Sequence, residues 1–267
     1  MDVECKSETE TSVIAFGSRD HKPVVLKVIK QRGDEWGSGE VLETFDGHGV
    51  VRVYEHEPGA VLMERLRPGD SLVRLALSDR DEEATDILAA VIQQLTGQES
   101  ASHTTPEKFA TIHDWARGFD RYIASGDEQI PRGLVEAARD TCLNLAASQQ
   151  QPKLLHGDLQ HYNILFDSDC GWVAIDPKGV VGEVEYEIGA AMRNPIERPD
   201  FFLSPQTIER RLKQFTNKLN LNFERALAWT FAQAVLSGIW TVEDGFEVNA
   251  EKPALKLANA IRPMIKP

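Results

Sequence analysis

His156-Gly157-Asp158-Leu159-Gln160-His161-Tyr162-Asn163 is followed, at Ile175-Asp176-Pro177, by a second aspartate closing an apolar run. The pattern is H-x-D-x-x-x-x-N, then a short hairpin, then Asp. This is the spacing of the base and metal-holding groups in kinase-type phosphoryl transfer. Each residue type has a chemical reason to be there. An aspartate can accept the proton of an attacking hydroxyl, while a carboxamide oxygen and a second carboxylate are hard oxygen donors suited to Mg²⁺. Asp and Asn also collect in loops simply because they turn well. The flanks weigh against that blander reading. Leu154-Leu155 leads in, Ile164-Leu165-Phe166 leaves as a strand, Asp167 to Gly171 turns, and Trp172-Val173-Ala174-Ile175 returns.

Upstream of this loop the chain begins β-rich. Thr11 to Phe16 and Pro23 to Ile29 are expected strands, with Gly17 to Lys22 turning between them. A short helix is expected over Glu35 to Phe45, weakened by Gly37 and Gly39. A hairpin follows, Val50 to Tyr54 and Ala60 to Met63, around Glu57-Pro58-Gly59. Beyond Arg67-Pro68-Gly69-Asp70 the periodicity becomes helical. Ile87, Leu88, Val91, Ile92 and Leu95 repeat at helical spacing within Asp79 to Leu95. Thr105-Pro106-Glu107 is expected to open a helix carrying Phe109, Ile112, Phe119 and Tyr122, and Pro131 another through Leu145. Ser204-Pro205 starts a further helix, and Asn222 to Trp240 holds a long apolar one. The expected fold is α+β and two-lobed. A small N-terminal β lobe with one helix spans residues 1–66, and a larger, mainly helical lobe spans 67–267.

With 267 residues, 42% of them apolar, the chain has material for a substantial core. No stretch approaches the roughly eighteen apolar residues that span a bilayer. The start, Met-Asp-Val-Glu-Cys-Lys-Ser-Glu, lacks the apolar segment of a secretory signal, so cytoplasmic residence is the expectation. Cys5, Cys142 and Cys170 are far apart and form no C-x-x-C pair, which disfavours a zinc site or a disulfide framework. Twenty-nine Lys and Arg stand against 42 Asp and Glu, a formal charge of −13. Such a surface disfavours nucleic acid and anionic membranes and favours a cationic small molecule, although acidity also serves plain solubility.

Lys27 interrupts the apolar run Val24-Val25-Leu26-Lys27-Val28. A lysine is costly to bury unpaired, so it must face solvent or have a charged partner. Kinase chemistry supplies a reason for the second choice: a strand lysine that holds nucleotide phosphates and is oriented by a helix glutamate. Glu35 and Glu40 are the two candidates. Glu35 is favoured, because its register puts Leu42 on the buried side of the helix.

Taken together, these stretches resemble the aminoglycoside phosphotransferase family. Within it the likeness is to the branch of streptomycin 6-kinases and aminoglycoside/hydroxyurea antibiotic resistance kinases. The residues carrying it are Val24 to Lys27, Gly47-His48-Gly49-Val50-Val51-Arg52, Leu62 to Leu66, Leu155 to Asn163, and Ile175-Asp176-Pro177-Lys178-Gly179-Val180-Val181-Gly182-Glu183. The resemblance implies a protein-kinase-like fold that uses ATP and Mg²⁺. In it Lys27 binds the nucleotide phosphates, Glu64 to Leu66 presents backbone groups to adenine, Asp158 is the base, and Asn163 and Asp176 hold the metal. His156 would support the loop. Acceptor groups would come from Glu183 and Glu185, and from Trp240, Glu243 and Asp244 at the end of a helix; Glu187 would instead anchor its helix. Lys6 to Thr11, where a phosphate-covering hairpin falls, has no glycine. The implied activity is phosphorylation of a hydroxyl on a small cationic amino sugar such as streptomycin. The alternatives are a kinase for another small metabolite (sugar, amino alcohol, nucleoside-like) and a silent kinase fold acting as a binding module. An Ala-Pro-Glu segment, expected of a protein kinase, is absent.

Overall fold

The computed structural model describes residues 2–9, 11–97 and 108–265. Its N-terminal part is one antiparallel sheet built from β1 (Asp2–Glu8), β2 (Ser12–Arg19), β3 (Lys22–Ile29), β4 (Val53–Glu57) and β5 (Ala60–Glu64), in the order β1-β2-β3-β5-β4. β1 was not legible as a strand. It is an exposed edge, and its polar, charged residues show no buried alternation. Between β1 and β2, the Thr9 N–H donates to Ser12 O (2.8 Å) and Thr9 Oγ1 accepts from the Ser12 N–H (3.0 Å). β3 is central, pairing Lys27 with Ile14 on one side and Val61 on the other. Strand alternation puts Lys27 on the face it shares with Val25 and Ile29.

One helix, α1 (Ser38–Phe45), packs on β4 and β5. It starts later than expected. Asp34 to Gly37 forms a turn, with the Trp36 N–H donating to Gly33 O (3.0 Å) and the Ser38 N–H to Glu35 O (2.9 Å). Gly33, Gly37 and Gly39 lower the helix propensity of this segment. Glu35 therefore precedes the helix rather than riding on it.

The remainder is mainly helical, with two further small sheets. β6 (Pro68–Ser71), α2 (Val73–Leu77), α3 (Asp81–Thr96), α4 (Ile112–Ser125) and α5 (Arg132–Ala147) lead to β7 (Lys153–Leu155). β8 (Ile164–Asp167) and β9 (Gly171–Ala174) form the expected hairpin, extended by β6, and β10 (Val180–Gly182) pairs with β7. Then come α6 (Val184–Met192), α7 (Pro199–Phe202), α8 (Pro205–Leu219), α9 (Phe223–Glu243) and α10 (Pro253–Ile261). The expected opening at Thr105-Pro106-Glu107 lies outside the described residues. α4 itself starts behind Thr111, whose hydroxyl accepts from the Asp114 N–H while Asp114 accepts from the Thr111 N–H. Ser204 and Asn222 cap α8 and α9 in the same way, each accepting an N–H of the first turn.

α9 is the axis of this region. Its Trp229, Phe231, Val235, Leu236 and Ile239 are buried, and it packs against α4, α5, α6, α8 and α10. The two parts are stitched where the chain leaves α1: Ala174 N–H donates to Gly49 O (2.8 Å) and Val51 N–H to Ala174 O (2.9 Å). That seam brings the end of β9, and so Asp176, alongside β3.

Candidate active site

The loop from His156 to Asn163 is fixed from below before any side chain reaches the cleft. His156 is fully buried. Its Nε2 lies 2.8 Å from Ile175 O, and its Nδ1 accepts the Asp158 N–H (3.3 Å). An imidazole that accepts at Nδ1 and faces a carbonyl at Nε2 must be the neutral, Nε2-protonated tautomer. Burial, which lowers the His156 pKa, favours the same neutral form. Gly157 has φ +82°, and a Cβ there would sit 2.7 Å from the ring of Trp115. Only glycine fits both constraints.

Glu187, on α6, closes the underside. Its carboxylate accepts the N–H groups of His156 (2.7 Å) and Gly157 (3.1 Å). It is 1% exposed, and burial pushes its carboxyl up to about 7 against the opposing pull of those amides. Asp158 projects upward, a quarter exposed, with Arg193 Nη2 3.4 Å from its Oδ1. Asn163 donates its Nδ2–H to Asp158 O (2.9 Å), which leaves the amide oxygen as the end available to a cation. Asn163 O in turn accepts the Ile175 N–H (2.9 Å), tying this loop to the strand that delivers Asp176.

Asp176 adopts φ +57°, a left-handed conformation that Asp and Asn take more readily than most side chains. Its Oδ1 lies 2.9 Å from Lys27 Nζ, and Glu35 Oε2 lies 2.7 Å from the same nitrogen. Lys27 is only 4% exposed. Burial alone would lower its pKa, but the Asp176 and Glu35 carboxylates outweigh that and hold it raised. Glu40 points elsewhere and pairs with Lys108 at 3.1 Å. Where β5 runs out, the N–H groups of Glu64 and Arg65 donate to Arg52 O (3.0 Å) and Pro23 O (3.3 Å). Among the described residues nothing accepts the Leu66 N–H.

The donor set suits a magnesium–nucleotide pair. Among the described residues no group of three or more His, Cys, Asp or Glu forms a ready-made metal centre. Mg²⁺ is ordinarily held by one or two protein oxygens together with substrate phosphates, and Asn163 and Asp176 are of that kind.

The sequence profile of the aminoglycoside/hydroxyurea antibiotic resistance kinases matches residues 2–245. The chain belongs to that family. It is 32% identical to a streptomycin 3''-kinase of Klebsiella pneumoniae over 89% of this chain and 86% of that protein. It is 29% identical to a hydroxyurea phosphotransferase of Kitasatospora aureofaciens, over 85% of this chain and 64% of that one. Its fold matches aminoglycoside phosphotransferase APH(4)-Ia in ternary complex with AMP-PNP and hygromycin B (TM-score 0.65, 14% identity, 99% and 94% coverage). It also matches a choline/ethanolamine kinase family protein from Mesorhizobium loti (TM-score 0.66, 12% identity, 100% and 89% coverage).

The residues expected to face the acceptor part company. Glu183 is turned into the core at 5% exposure, where its Oε1 accepts from Arg225 Nε (2.6 Å) and from the Trp229 indole. It follows the last residue of β10 and immediately precedes α6, and its side chain meets Arg225 and Trp229 of α9. Glu185 accepts the Asn222 N–H (3.4 Å) at the start of α9 and is not beside Asp158. Of the expected residues, Trp240 is the one linked to the His156–Asn163 loop, with Glu243 and Asp244 following at the end of the same helix. Trp115, the ring that seals Gly157, meets Trp240 edge-on with centroids 5.3 Å apart. Lys178 Nζ stands 5.3 Å over Trp240 and 3.3 Å from Asp34, while Arg121 pairs with Glu243 at 2.9 Å. Burial raises the Asp244 carboxyl pKa, the Lys178 charge opposes it, and Asp34 and Glu243 add to it. Trp115, Lys178, Asp34 and Arg193 were not singled out from sequence. Lys178 sits inside the quoted motif, but the other three carry no local signal.

Proposed function

We propose that this chain is an ATP- and Mg²⁺-dependent phosphotransferase that phosphorylates a hydroxyl of a small cationic acceptor, an aminoglycoside such as streptomycin. The reading rests above all on one arrangement: Lys27 held between Glu35 and Asp176, with Asp158 and Asn163 on a loop hydrogen-bonded to the strand that carries Asp176. Lys27 binds and orients the nucleotide phosphates, and the Leu66 N–H is the donor offered to the adenine edge. Asn163 and Asp176 hold the metal, which when bound neutralises charge on the transferring phosphoryl group. Asp158 accepts the acceptor's hydroxyl proton, its backbone fixed so that the carboxylate needs little reorganisation.

Support for a cationic acceptor comes from the Trp240 wall. Lys178 already places an ammonium over that indole and beside Asp34, so the wall accommodates a cation by the same forces that an amino or guanidino group would use. The hydroxyurea phosphotransferase among the relatives supports a second reading, in which the acceptor is a small neutral molecule and the acidic rim serves solubility. The test is an ATP-consumption screen of the purified protein with Mg²⁺ against cationic aminoglycosides, neutral sugars, amino alcohols and hydroxyurea. Turnover of streptomycin or another cationic amino sugar is the expected result. Transfer to neutral acceptors, with every cationic one untouched, overturns the first reading in favour of the second.

A further inference from the structure

Arg193 is the C-terminal neighbour of α6, and its guanidinium returns beneath the base loop. Its side chain is 12% exposed, and burial is the main influence on its pKa, lowering it. Nη2 lies 3.4 Å from Asp158 Oδ1; Nη1 donates to Gln233 Oε1 (2.7 Å) and to Gly189 O (3.2 Å). Gln233, on α9, is itself buried, and it reaches Arg193 only because Gly189 has no side chain: a Cβ there would lie 2.2 Å from Gln233 Oε1. A buried arginine so anchored is expensive to maintain unless its charge is used. The anionic group within its reach is Asp158.

On the reading that Asp158 is the base, we infer that Arg193 is a positioning residue for the phosphoryl transfer. Held by Gln233 and the Gly189 carbonyl, it fixes the rotamer of Asp158 through Oδ1 and leaves Oδ2 for the acceptor hydroxyl. α6 thus controls the base twice. Glu187 sets the loop's backbone, and Arg193 sets the carboxylate. The guanidinium does not touch the reacting atoms, so its loss acts through the orientation of Asp158, not through affinity for nucleotide or acceptor.

The test is a set of purified variants assayed for kcat, for KM of ATP and acceptor, and for melting temperature. Arg193→Met should lower kcat about 10- to 100-fold, the scale of a misplaced catalytic group, with both KM values within about twofold. Arg193→Lys, which restores the charge without the fork, should recover part of the loss. Gln233→Met, which removes the anchor without touching Asp158, should give an intermediate kcat, and it decides the matter if Arg193→Met does not fold. In the Asp158→Asn background, Arg193→Met should have no further effect on kcat. Wild-type kcat in folded Arg193→Met or Gln233→Met overturns the inference, as does a kcat loss that persists undiminished in the Asp158→Asn background. Full activity of Asp158→Asn alone overturns the underlying assignment of the base instead, whatever the Arg193 variants do.

Discussion

The two sides of the cleft are built by different means. On the nucleotide side, Lys27, Asp158, Asn163 and Asp176 are positioned by buried contacts and by bonds to backbone: the Asp158 and Ile175 carbonyls and amides, the His156 ring, the Glu187 carboxylate. On the proposed acceptor side, Trp240 and Glu243 are met by side-chain contacts in partial solvent: Arg121 pairs with Glu243, and Lys178, paired with Asp34, lies over Trp240. The first kind of contact is completed as the chain folds and is hard to alter singly. The second is screened by salt and replaceable one residue at a time. A family that keeps one reaction while changing its acceptors needs that division.

The largest effects should come from the nucleotide side. Asp176→Ala removes the proposed charged metal ligand and a partner of Lys27, and no transfer should be measurable in a coupled assay. Asp158→Asn should cut kcat by roughly 10²-fold or more, the scale of general-base loss, with nucleotide binding by calorimetry largely kept. Near-wild-type turnover by either variant would erase the contrast between the two sides.

Lys27→Ala should come next. Lys22 and Lys30 flank the same strand, and all three substitutions remove one positive charge. Only Lys27→Ala leaves Glu35 and Asp176 facing each other unbridged. It should weaken ATP binding or kcat at least about 10-fold relative to the other two, comparable with losing a charged hydrogen bond of about 1.5–3 kcal/mol. Equal effects from the three would make Lys27 an ordinary lysine.

Glu187 allows the fixed side to be probed through stability. Folding raises its pKa from 4.5 to about 7, so the native state holds this proton more tightly than the unfolded chain. Its contribution to stability is therefore greatest below about pH 4.5 and falls as pH rises toward about 7. Glu187→Gln removes that slope. The melting-temperature difference between pH 5 and pH 8 should shrink by a few degrees, at about 2–4 °C per kcal/mol for a chain of this size. An unchanged difference would mean that Glu187 titrates normally.

The acceptor rim should give the smallest change. Glu243→Gln with Asp244→Asn should raise KM for a cationic acceptor about 3- to 10-fold, as partly exposed charges are worth roughly 0.5–1 kcal/mol each. kcat should stay near wild type, and added salt should mimic the double substitution. A large fall in kcat would show that the rim also positions the reaction.

This contrast also explains what could be read from sequence. That the His156–Asn163 loop and Asp176 come together was legible because kinase chemistry would demand those residue types at a fixed short spacing. The pairing of Lys27 was legible only together with that set, because a lone lysine in an apolar strand could as well face solvent. Glu35 was singled out as the favoured partner on helical register, yet it occupies a turn ahead of α1, where the glycines at 33, 37 and 39 disfavour helix. Glu183 misled because acids following the Asp176 segment look alike until folding decides which one meets Trp229. Arg193, Gln233 and Trp115 could not be seen at all. Their significance lies in partners dozens of residues away, and nothing local marks them.

The β1–β2 hairpin carries a last consequence. Thr9 and Ser12 close it with a backbone bond and a hydroxyl bond, and Lys30 Nζ reaches Thr9 O at 2.5 Å. A glycine-rich cover would be loose in the free protein and would surrender its freedom each time a ligand slid beneath it. Here much of that entropy is already gone when the chain folds. The hairpin is preorganised, and as the cover of a ligand it would trade adaptability toward different ligands for a smaller entropic toll at every binding event.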